Sequence, residues 1–132
     1  MRPGRELDTL IAKHIFKHEV VIKRKISTEI TPAGERPLRE YSKEMGAAFE
    51  IMKKLNISLI PIENGQWFAL AGREEGYSSP ADFIQYLGEG NFQNAGAAVA
   101  DSAPMAITLA AIKSVESKIA NTDPDSEAPL EH

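Results

Sequence analysis

Three segments of the chain repeat their apolar side chains with a helical period. Residues 5–18 place leucine and isoleucine at every third or fourth position, which predicts an amphipathic helix. A second helix is predicted to begin at Ser42, a plausible N-cap. Its buried stripe consists of Met45, Ala48, Phe49, Met52 and Leu55. The third helix follows Ser102, whose hydroxyl can cap the first turn, and it tolerates Pro104 there because the missing N–H would be unpaired anyway.

Between the helices, the apolar pattern changes to the period of β-strands. Residues 19–26 alternate with period two and predict one strand, whereas the prolines and the glycine of residues 31–40 predict a loop. Two apolar runs flank Asn64 and Gly65, the preferred pair for a two-residue hairpin turn. We expect the first of these two strands to lie at a sheet edge, because Pro61 cannot donate to a ladder.

The hairpin and the segment that follows it complete the pattern. Trp67 is expected to anchor the core, although a place in a pocket wall stays open because its N–H needs a polar partner. A short helix is predicted to begin after Ser79 and to reach Tyr86. Residues 91–100 predict one further, weak strand with small side chains.

This order of elements predicts an α+β fold, in which a small antiparallel sheet is covered by helices as in an αβα sandwich. A length of 132 residues indicates one domain, which we assign to residues 1–120. The last helix also has a strip of small side chains, Ala106, Ala110 and Ser114. This strip can pack on the protein's own sheet or against a second copy of the chain, and the sequence leaves both arrangements open.

The net charge of −4 arises at the C-terminal end. Residues 121–132 carry four acids and no lysine or arginine, and without them acids and bases are equal at 15 each. This stretch is expected to be a disordered acidic tail, and its final Leu-Glu-His resembles the start of a vector-encoded histidine tag. Thirteen of the 15 bases lie at or before Arg73, which argues against a DNA-binding surface in the C-terminal half.

The residue types and segments that the sequence lacks indicate the cellular compartment of the protein. There is no cysteine, which excludes disulfides and thiolate metal sites and fits a reducing compartment. No apolar run is long enough to cross a membrane, and the first residues lack the apolar core of a secretory signal. We therefore expect a cytoplasmic protein that is not attached to a membrane.

Few residues could carry catalytic chemistry. His14 and His18 could face one metal ion from a helix, but Glu19 is the only further ligand nearby, so no metal site is predicted. No cysteine nucleophile and no GxSxG motif is present, and the glycines of residues 88–96 match neither a P-loop nor GxGxxG. We expect a binding protein rather than an enzyme, with no cofactor.

Two motifs together resemble the phage alpha-beta-alpha sandwich domain family. The first is "YSKEMGAAFEIMKKL", residues 41–55, where Tyr-Ser precedes Ala-Ala-aromatic-Glu. The second is "ADSAPMAITLAAIKSVE", residues 100–116, where Ser-Ala-Pro begins a helix with Ala-Ala-Ile-Lys near its end. The similarity spans residues 6–115. Phe49 stands where tryptophan is common in the family, and Ser102 where threonine is common.

The resemblance implies a function. The best-understood members are Thoeris anti-defence proteins of phages, which act as sponges: they bind cyclic nucleotide immune signals, notably glycocyclic ADP-ribose isomers, without cleaving them. Some relatives also bind cyclic oligonucleotides at separate sites in a larger oligomer. For this chain the resemblance implies a ligand with a pyrophosphate and a base, a homodimer or larger homo-oligomer, and the cytoplasm of the bacterial host as the location.

Candidate ligand-binding residues follow from the chemistry of such a ligand. A helix N-terminus can hold a phosphate, cations can pair with it, and aromatic rings can stack on a base. The residues that offer these groups are Arg24, Arg73, Tyr86, Phe92, Asn94, Ser102, Ala103 and Lys113.

Two other classes of function stay open. The chain could be a phage-encoded interaction domain that binds a host protein and no nucleotide. It could also be a small hydrolase of a cyclic nucleotide, which the shortage of histidine, cysteine and paired carboxylates disfavours.

Overall fold

The computed structural model describes residues 2–73, 75–89 and 96–122, with side chains described as far as Glu116. In this part of the chain an α+β fold is formed, as predicted, but with two antiparallel sheets of three strands each in place of one small sheet. The elements in chain order are α1 (Arg5–His14), β1 (Glu19–Lys23), β2 (Ile26–Thr31), β3 (Gly34–Pro37), α2 (Met45–Leu55), β4 (Ser58–Ile62), β5 (Gln66–Leu70), α3 (Pro80–Gly88), β6 (Ala97–Ala100) and α4 (Ala103–Thr122).

The N-terminal sheet, β1-β2-β3, differs most from the prediction. The single strand predicted over residues 19–26 is wrong, because Arg24 and Lys25 form a turn in which both have positive φ, 53° and 68°. Side chains other than glycine seldom adopt this conformation, so the pattern of apolar residues gave no sign of it. The loop predicted over residues 31–40 is also wrong in part, because β3 pairs with β2 there.

Helix α2 begins later than predicted. Its N-cap is Glu44, and no side chain accepts from the first turn. Ser42 is instead buried, and both its N–H and its hydroxyl donate to the Asp8 carboxylate, at 2.8 and 2.7 Å. Ser42 therefore does not cap α2 but joins α1 to the segment that precedes α2.

The second sheet, β4-β5-β6, contains the predicted hairpin. Ile62 pairs with Gln66, so the loop has three residues, Glu63–Gly65, rather than the two predicted. Asn64 and Gly65 do both adopt positive φ, 65° and 75°, as this residue pair readily does. Strand β4 lies at the sheet edge, which confirms the expectation based on its proline.

The buried stripe predicted for α2 is wrong in part, because Met45 and Phe49 are exposed and the buried residues are Ala47, Ala48 and Ile51. Helix α1 also ends earlier than predicted, at His14 rather than at residue 18.

The other predicted elements are confirmed where the structure describes them. Trp67 on β5 is half-buried and packs against the core. The Ser79 hydroxyl accepts from the Asp82 N–H at 3.1 Å and caps α3, which contains Tyr86 and ends at Gly88. The predicted last strand is formed by β6, and residues 90–95 lie outside the described part of the chain.

The core is centred on helix α4, which packs on the second sheet and on α2. The strip of small side chains, Ala106, Ala110 and Ser114, is buried inside the protomer. Gly96, with φ of 108°, shows how closely β6 and α4 approach, because a Cβ there would lie 2.8 Å from the Ala110 carbonyl oxygen. The strip therefore packs on the protein's own sheet, and the alternative that it forms a dimer contact is wrong.

Helix α4 also continues further than predicted. Asn121 and Thr122, assigned to the tail from the sequence, belong to this helix, and residues 123–132 lie outside the described part. Among the residues that the structure describes, no helix is long and apolar enough to cross a membrane.

Candidate ligand-binding site

The residues selected from the sequence lie in several separate places. Ser102 and Ala103 are at the N-terminus of α4, Arg73 follows β5, and Arg24 is in the turn between β1 and β2. Lys113 is exposed on α4, 11 residues and about 16 Å along the helix axis from Ser102. The other three are Tyr86, which lies on α3, and Phe92 and Asn94, which lie outside the described residues.

Two of these places are at opposite ends of the second sheet. Trp67 pairs with Ala100 just before α4 begins, whereas Leu70 pairs with Ala97 at the other end. Arg73 follows Leu70 by three residues, so an extended chain would place it about 20 Å from the level of Trp67. The structure thus brings Arg73 close to Tyr86 but not to the N-terminus of α4.

An open groove lies at the N-terminus of α4. Its volume is about 690 Å³, within the range of roughly 300–1,000 Å³ that is usual for small-molecule sites. Its apolar lining residues are Pro3, Val99, Ala100, Met105 and Leu109. Polar and charged groups line the rest, and these are Arg2, Gln66, Asp101 and Ser102. The combination of an apolar lining with a few polar groups is typical of a site for an organic ligand.

The hydrogen bonds at this helix end leave one N–H for a ligand. The Met105 N–H donates to the Ser102 hydroxyl at 3.3 Å, which confirms the predicted cap. Pro104 has no N–H, and the Ala106 N–H donates to the Ser102 carbonyl at 3.0 Å. The Ala103 N–H is therefore the donor of the first turn that can point at an anion.

A carboxylate lies beside that donor. Asp101 accepts from the Gln66 side-chain amide at 3.1 Å, and this bond ties the start of α4 to β5. A carboxylate near a helix N-terminus stabilises the helix, but it also competes with a phosphate for the same positive end. Arg2 supplies the opposing cation in the groove. The groove can thus pair Arg2 with phosphate oxygens and Asp101 with ribose hydroxyls. Ala103 does not line the groove itself but directly follows the lining residue Ser102.

Arg73 and Tyr86 belong to a different cluster, which holds α3 on the sheet. The Arg73 guanidinium donates to Asp82 at 2.5 Å and lies 4.8 and 5.7 Å from the ring centres of Tyr77 and Tyr86. The Ser78 N–H and then Arg73 itself hold the pKa of Asp82 below its ordinary value. The charge of Arg73 is already balanced within the protomer.

A glycine permits this cluster to form. A Cβ on Gly72 would lie 2.5 Å from both the Tyr77 hydroxyl and the Asn56 carbonyl oxygen, so only a residue without one fits beneath the ring. The sequence pattern indicates Arg73 and Tyr86 as candidate residues but not their partners Tyr77 and Asp82. The Ser-Ser-Pro sequence predicts that Asp82 lies in the first turn of α3, but it does not indicate that Asp82 pairs with Arg73.

A buried charged network surrounds Glu29, and no sequence pattern indicates it. The Glu29 side chain is fully buried, and its carboxylate accepts from His18 Nδ1 at 2.5 Å and from the Tyr41 hydroxyl at 2.7 Å. Arg36 lies 3.4 Å away. Burial alone would raise the pKa of Glu29, but the hydrogen bonds from His18, Tyr41 and Arg36 outweigh it and hold this pKa below its ordinary value. Burial and the bond to Glu29 raise the pKa of Tyr41.

The Tyr-Ser pair of the first motif is therefore a structural device. Tyr41 bonds to Glu29 through its hydroxyl and accepts from the Thr108 hydroxyl through its carbonyl, at 3.2 Å. Ser42 bonds to the buried Asp8, whose pKa is raised by burial. These two residues thus connect α1, the first sheet and α4, and the motif reports the fold rather than a ligand site.

His14 and His18, the two histidines considered as metal ligands, lie in different surroundings. His18 is engaged by Glu29, whereas His14 lines a small apolar cavity of about 140 Å³ between α1 and α4. No group of three side chains that could hold a metal ion occurs in the described part of the chain.

The fold resembles that of a solved phage protein. The crystal structure of a phage protein from Bacillus cereus ATCC 14579 has the same fold, with a TM-score of 0.56 over 88% of this chain and 89% of that chain. The two sequences are 22% identical, and at this level the likeness concerns the fold alone. No protein-family model and no curated protein matches the chain.

Proposed function

We propose that this protein is a phage anti-defence sponge, which binds and sequesters cyclic nucleotide immune signals without cleaving them. Glycocyclic ADP-ribose is the first candidate ligand, and cyclic oligonucleotides are the second. The proposal places the protein in the cytoplasm of the bacterial host, with no DNA partner and no cofactor. It rests on the motif resemblance, and the fold shared with a phage protein is consistent with it.

The observation that carries the proposal is the groove at the N-terminus of α4. A cyclic ADP-ribose has a pyrophosphate, ribose hydroxyls and a flat base, and the groove offers a complement to each. Arg2 suits the pyrophosphate, the Asp101 carboxylate suits a ribose hydroxyl, and the apolar lining suits the base. The Ala103 N–H, next to the lining residue Ser102, is the second donor that the proposal assigns to the pyrophosphate. In this proposal Ser102 acts by holding the helix end in place, through its bond to Met105.

The other selected residues have secondary places in the proposal. Lys113 is too far along α4 to reach the same phosphate within one protomer, so it would contact a distant part of the ligand or a ligand held by a neighbour. Arg73 would have to release Asp82 before it could bind a phosphate. Arg24 lies in the turn between β1 and β2 and does not line the groove, so the proposal gives it no contact with the ligand there.

Release of bound ligand by heat tests the proposal. The protein is incubated with a panel of cyclic nucleotides, separated from free ligand and denatured, and the released compound is identified by mass. Recovery of an unaltered ligand supports the sponge, and recovery of an altered one indicates a hydrolase. Recovery of nothing from any member of the panel contradicts the proposal.

A second function is favoured by the tip of the β1–β2 hairpin. Ile22 and Ile26 are 72% and 55% exposed there, beside Arg24 and Lys25. A projecting tip that combines large apolar side chains with cations suits an acidic protein partner, as expected of an interaction domain without a nucleotide ligand. Photo-crosslinking from position 24 in host cells, followed by mass analysis, tests this alternative. The alternative predicts that the same host protein is crosslinked in repeated experiments. This crosslinked product should be lost in the Ile22→Ser variant.

A further inference from the structure

The two edges of the second sheet differ in how they are protected. Strands β4 and β6 are its edge strands. Proteins usually protect such edges with proline, charge or a bulge, because unpaired backbone groups invite another strand. Strand β4 contains Pro61, whereas β6 consists of three alanines and Val99 and has none of these devices.

The pairing of β6 with β5 determines which of its backbone groups face outward. The Ala71 N–H donates to the Gly96 carbonyl at 2.8 Å, so this residue pair is a hydrogen-bonded one. Because hydrogen-bonded pairs alternate along an antiparallel ladder, Ala98 and Ala100 also direct their backbone groups toward β5. Ala97 and Val99 therefore direct theirs away from β5, toward the free edge.

The outer face of this sheet carries a row of apolar side chains that ends at the same edge. Ile60, Phe68 and Val99 are direct cross-strand neighbours, and so they share one face. Ile60 is 44% exposed and Val99 is 50% exposed. The opposite face holds Ala69 and Ala98, which are buried in the core.

We propose that β6 is an interaction surface on which the β6 strand of a second copy of this chain pairs, antiparallel, about a two-fold axis at Val99. This register places the outward N–H and C=O of Val99 opposite those of the partner's Val99, so that each N–H donates to the other's carbonyl. It sets Ala98 opposite the partner's Ala100, and small side chains on both sides let the backbones approach.

The sequence of β6 favours the β6 strand of a second copy of this chain as its partner. The sequence around Val99 is symmetric in size, with alanine on either side, so the strand is complementary to its own reverse. The strand carries no charge that would oppose a copy of itself. The same register continues the row of Ile60, Phe68 and Val99 into the partner's row, which produces one six-stranded sheet with a continuous apolar stripe.

Single cysteine variants test the pairing, because the chain contains no cysteine of its own. In Val99→Cys, the two thiols of a pair would be opposite each other, with Cα atoms about 5.5 Å apart, and air oxidation should produce a disulfide-linked dimer. Ile60→Cys is the matched control, on the same face and of similar exposure. Five strand spacings separate the two copies of this residue, about 24 Å, so no disulfide should form.

Light scattering on the unmodified protein and on Val99→Lys completes the test. We expect the mass of a dimer or a multiple of it for the parent, and a halved mass for Val99→Lys with an unchanged circular dichroism spectrum. A parent that stays monomeric, or equal crosslinking of the two cysteine variants, would overturn the proposal. Because Val99 also lines the groove, oligomer mass rather than ligand affinity is measured.

Discussion

The carboxylate of Glu29 on β2 and the hydroxyl of Tyr41, in the turn before α2, are joined by a 2.7 Å hydrogen bond in the interior of the protein. The same carboxylate accepts from His18, which follows α1. The first sheet is therefore attached to the helical body through a charged group that has no contact with solvent. Interior charges of this kind are stable only while their donors remain in place.

Removal of one donor should be costly. Tyr41→Phe keeps the ring and deletes the hydroxyl, and we expect it to lower the free energy of unfolding by about 1–3 kcal/mol, as for a buried charge that loses a hydrogen bond. Urea unfolding followed by circular dichroism measures this. Tyr77→Phe is the matched control, because its hydroxyl accepts a longer bond, 3.3 Å, from the neutral Arg73 backbone N–H. An equal effect of the two changes would contradict the role of Glu29.

The pKa values of two buried carboxyls give opposite pH dependences. The pKa of Glu29 is lowered on folding, so its contribution to stability is present above its ordinary value of 4.5 and is lost as pH falls through the folded value. The pKa of Asp8 is raised from 3.8, so its contribution is present below that value and is lost as pH rises through the folded value.

Glutamine at position 29 should therefore flatten the acid limb of the stability profile. We expect the free energy of unfolding of the parent to decrease as pH falls below about 4.5, and that of Glu29→Gln to decrease less over the same range. In the parent, ionisation of Asp8 should lower the free energy of unfolding as pH rises above 3.8. Asp8→Asn is the companion variant, and this decrease should be absent from it. Urea titrations at several pH values test both, and parallel profiles for all three proteins would show that neither carboxyl matters.

Because the strip of small side chains on α4 is buried in the protomer, we expect a charge there to destabilise the fold itself and not an interface between protomers. Ala110 has no exposed surface, so Ala110→Glu would bury an unpaired carboxylate, at a cost of at least about 3 kcal/mol. Lys113→Glu reverses an exposed charge on the same helix and should change stability little. Thermal unfolding distinguishes the two. A folded, monomeric Ala110→Glu protein would instead mean that the strip is an assembly surface.

Much of this fold follows from local signals that a sequence displays directly. Ser79 and Ser102 cap the helices that follow them, and Asn64 with Gly65 adopts the left-handed conformation of a hairpin loop. Each of these features depends on groups within a few residues. The small side chains of α4 were also apparent, but their sequence does not distinguish an internal neighbour from a second protomer.

What the sequence did not reveal depends on distant partners. Glu29 lies in a β-strand where a charged residue usually faces water, and its donors come from residues 11 and 12 positions away. Arg73 was selected as a cation for phosphate, but Asp82 on another element balances it. Ser42 looked like a helix cap and is used instead by Asp8. In each case the partner is brought close only by the complete fold.

The proposed function requires that a cyclic nucleotide binds at the N-terminus of α4. Proline at position 103 removes the one first-turn N–H that can point at a ligand, and proline is well tolerated at the first position of a helix. Ala103→Gly is the matched control, since it retains the N–H. Both variants should unfold at temperatures close to that of the parent.

Titration calorimetry with glycocyclic ADP-ribose on the parent, Ala103→Pro and Ala103→Gly is the most direct measurement. We expect binding to the parent and to Ala103→Gly, and an affinity about 10- to 100-fold lower for Ala103→Pro, as for the loss of a hydrogen bond to a charged group. Equal affinities of all three folded proteins would contradict the site at this helix end. The absence of binding to the parent would contradict the proposed ligand itself.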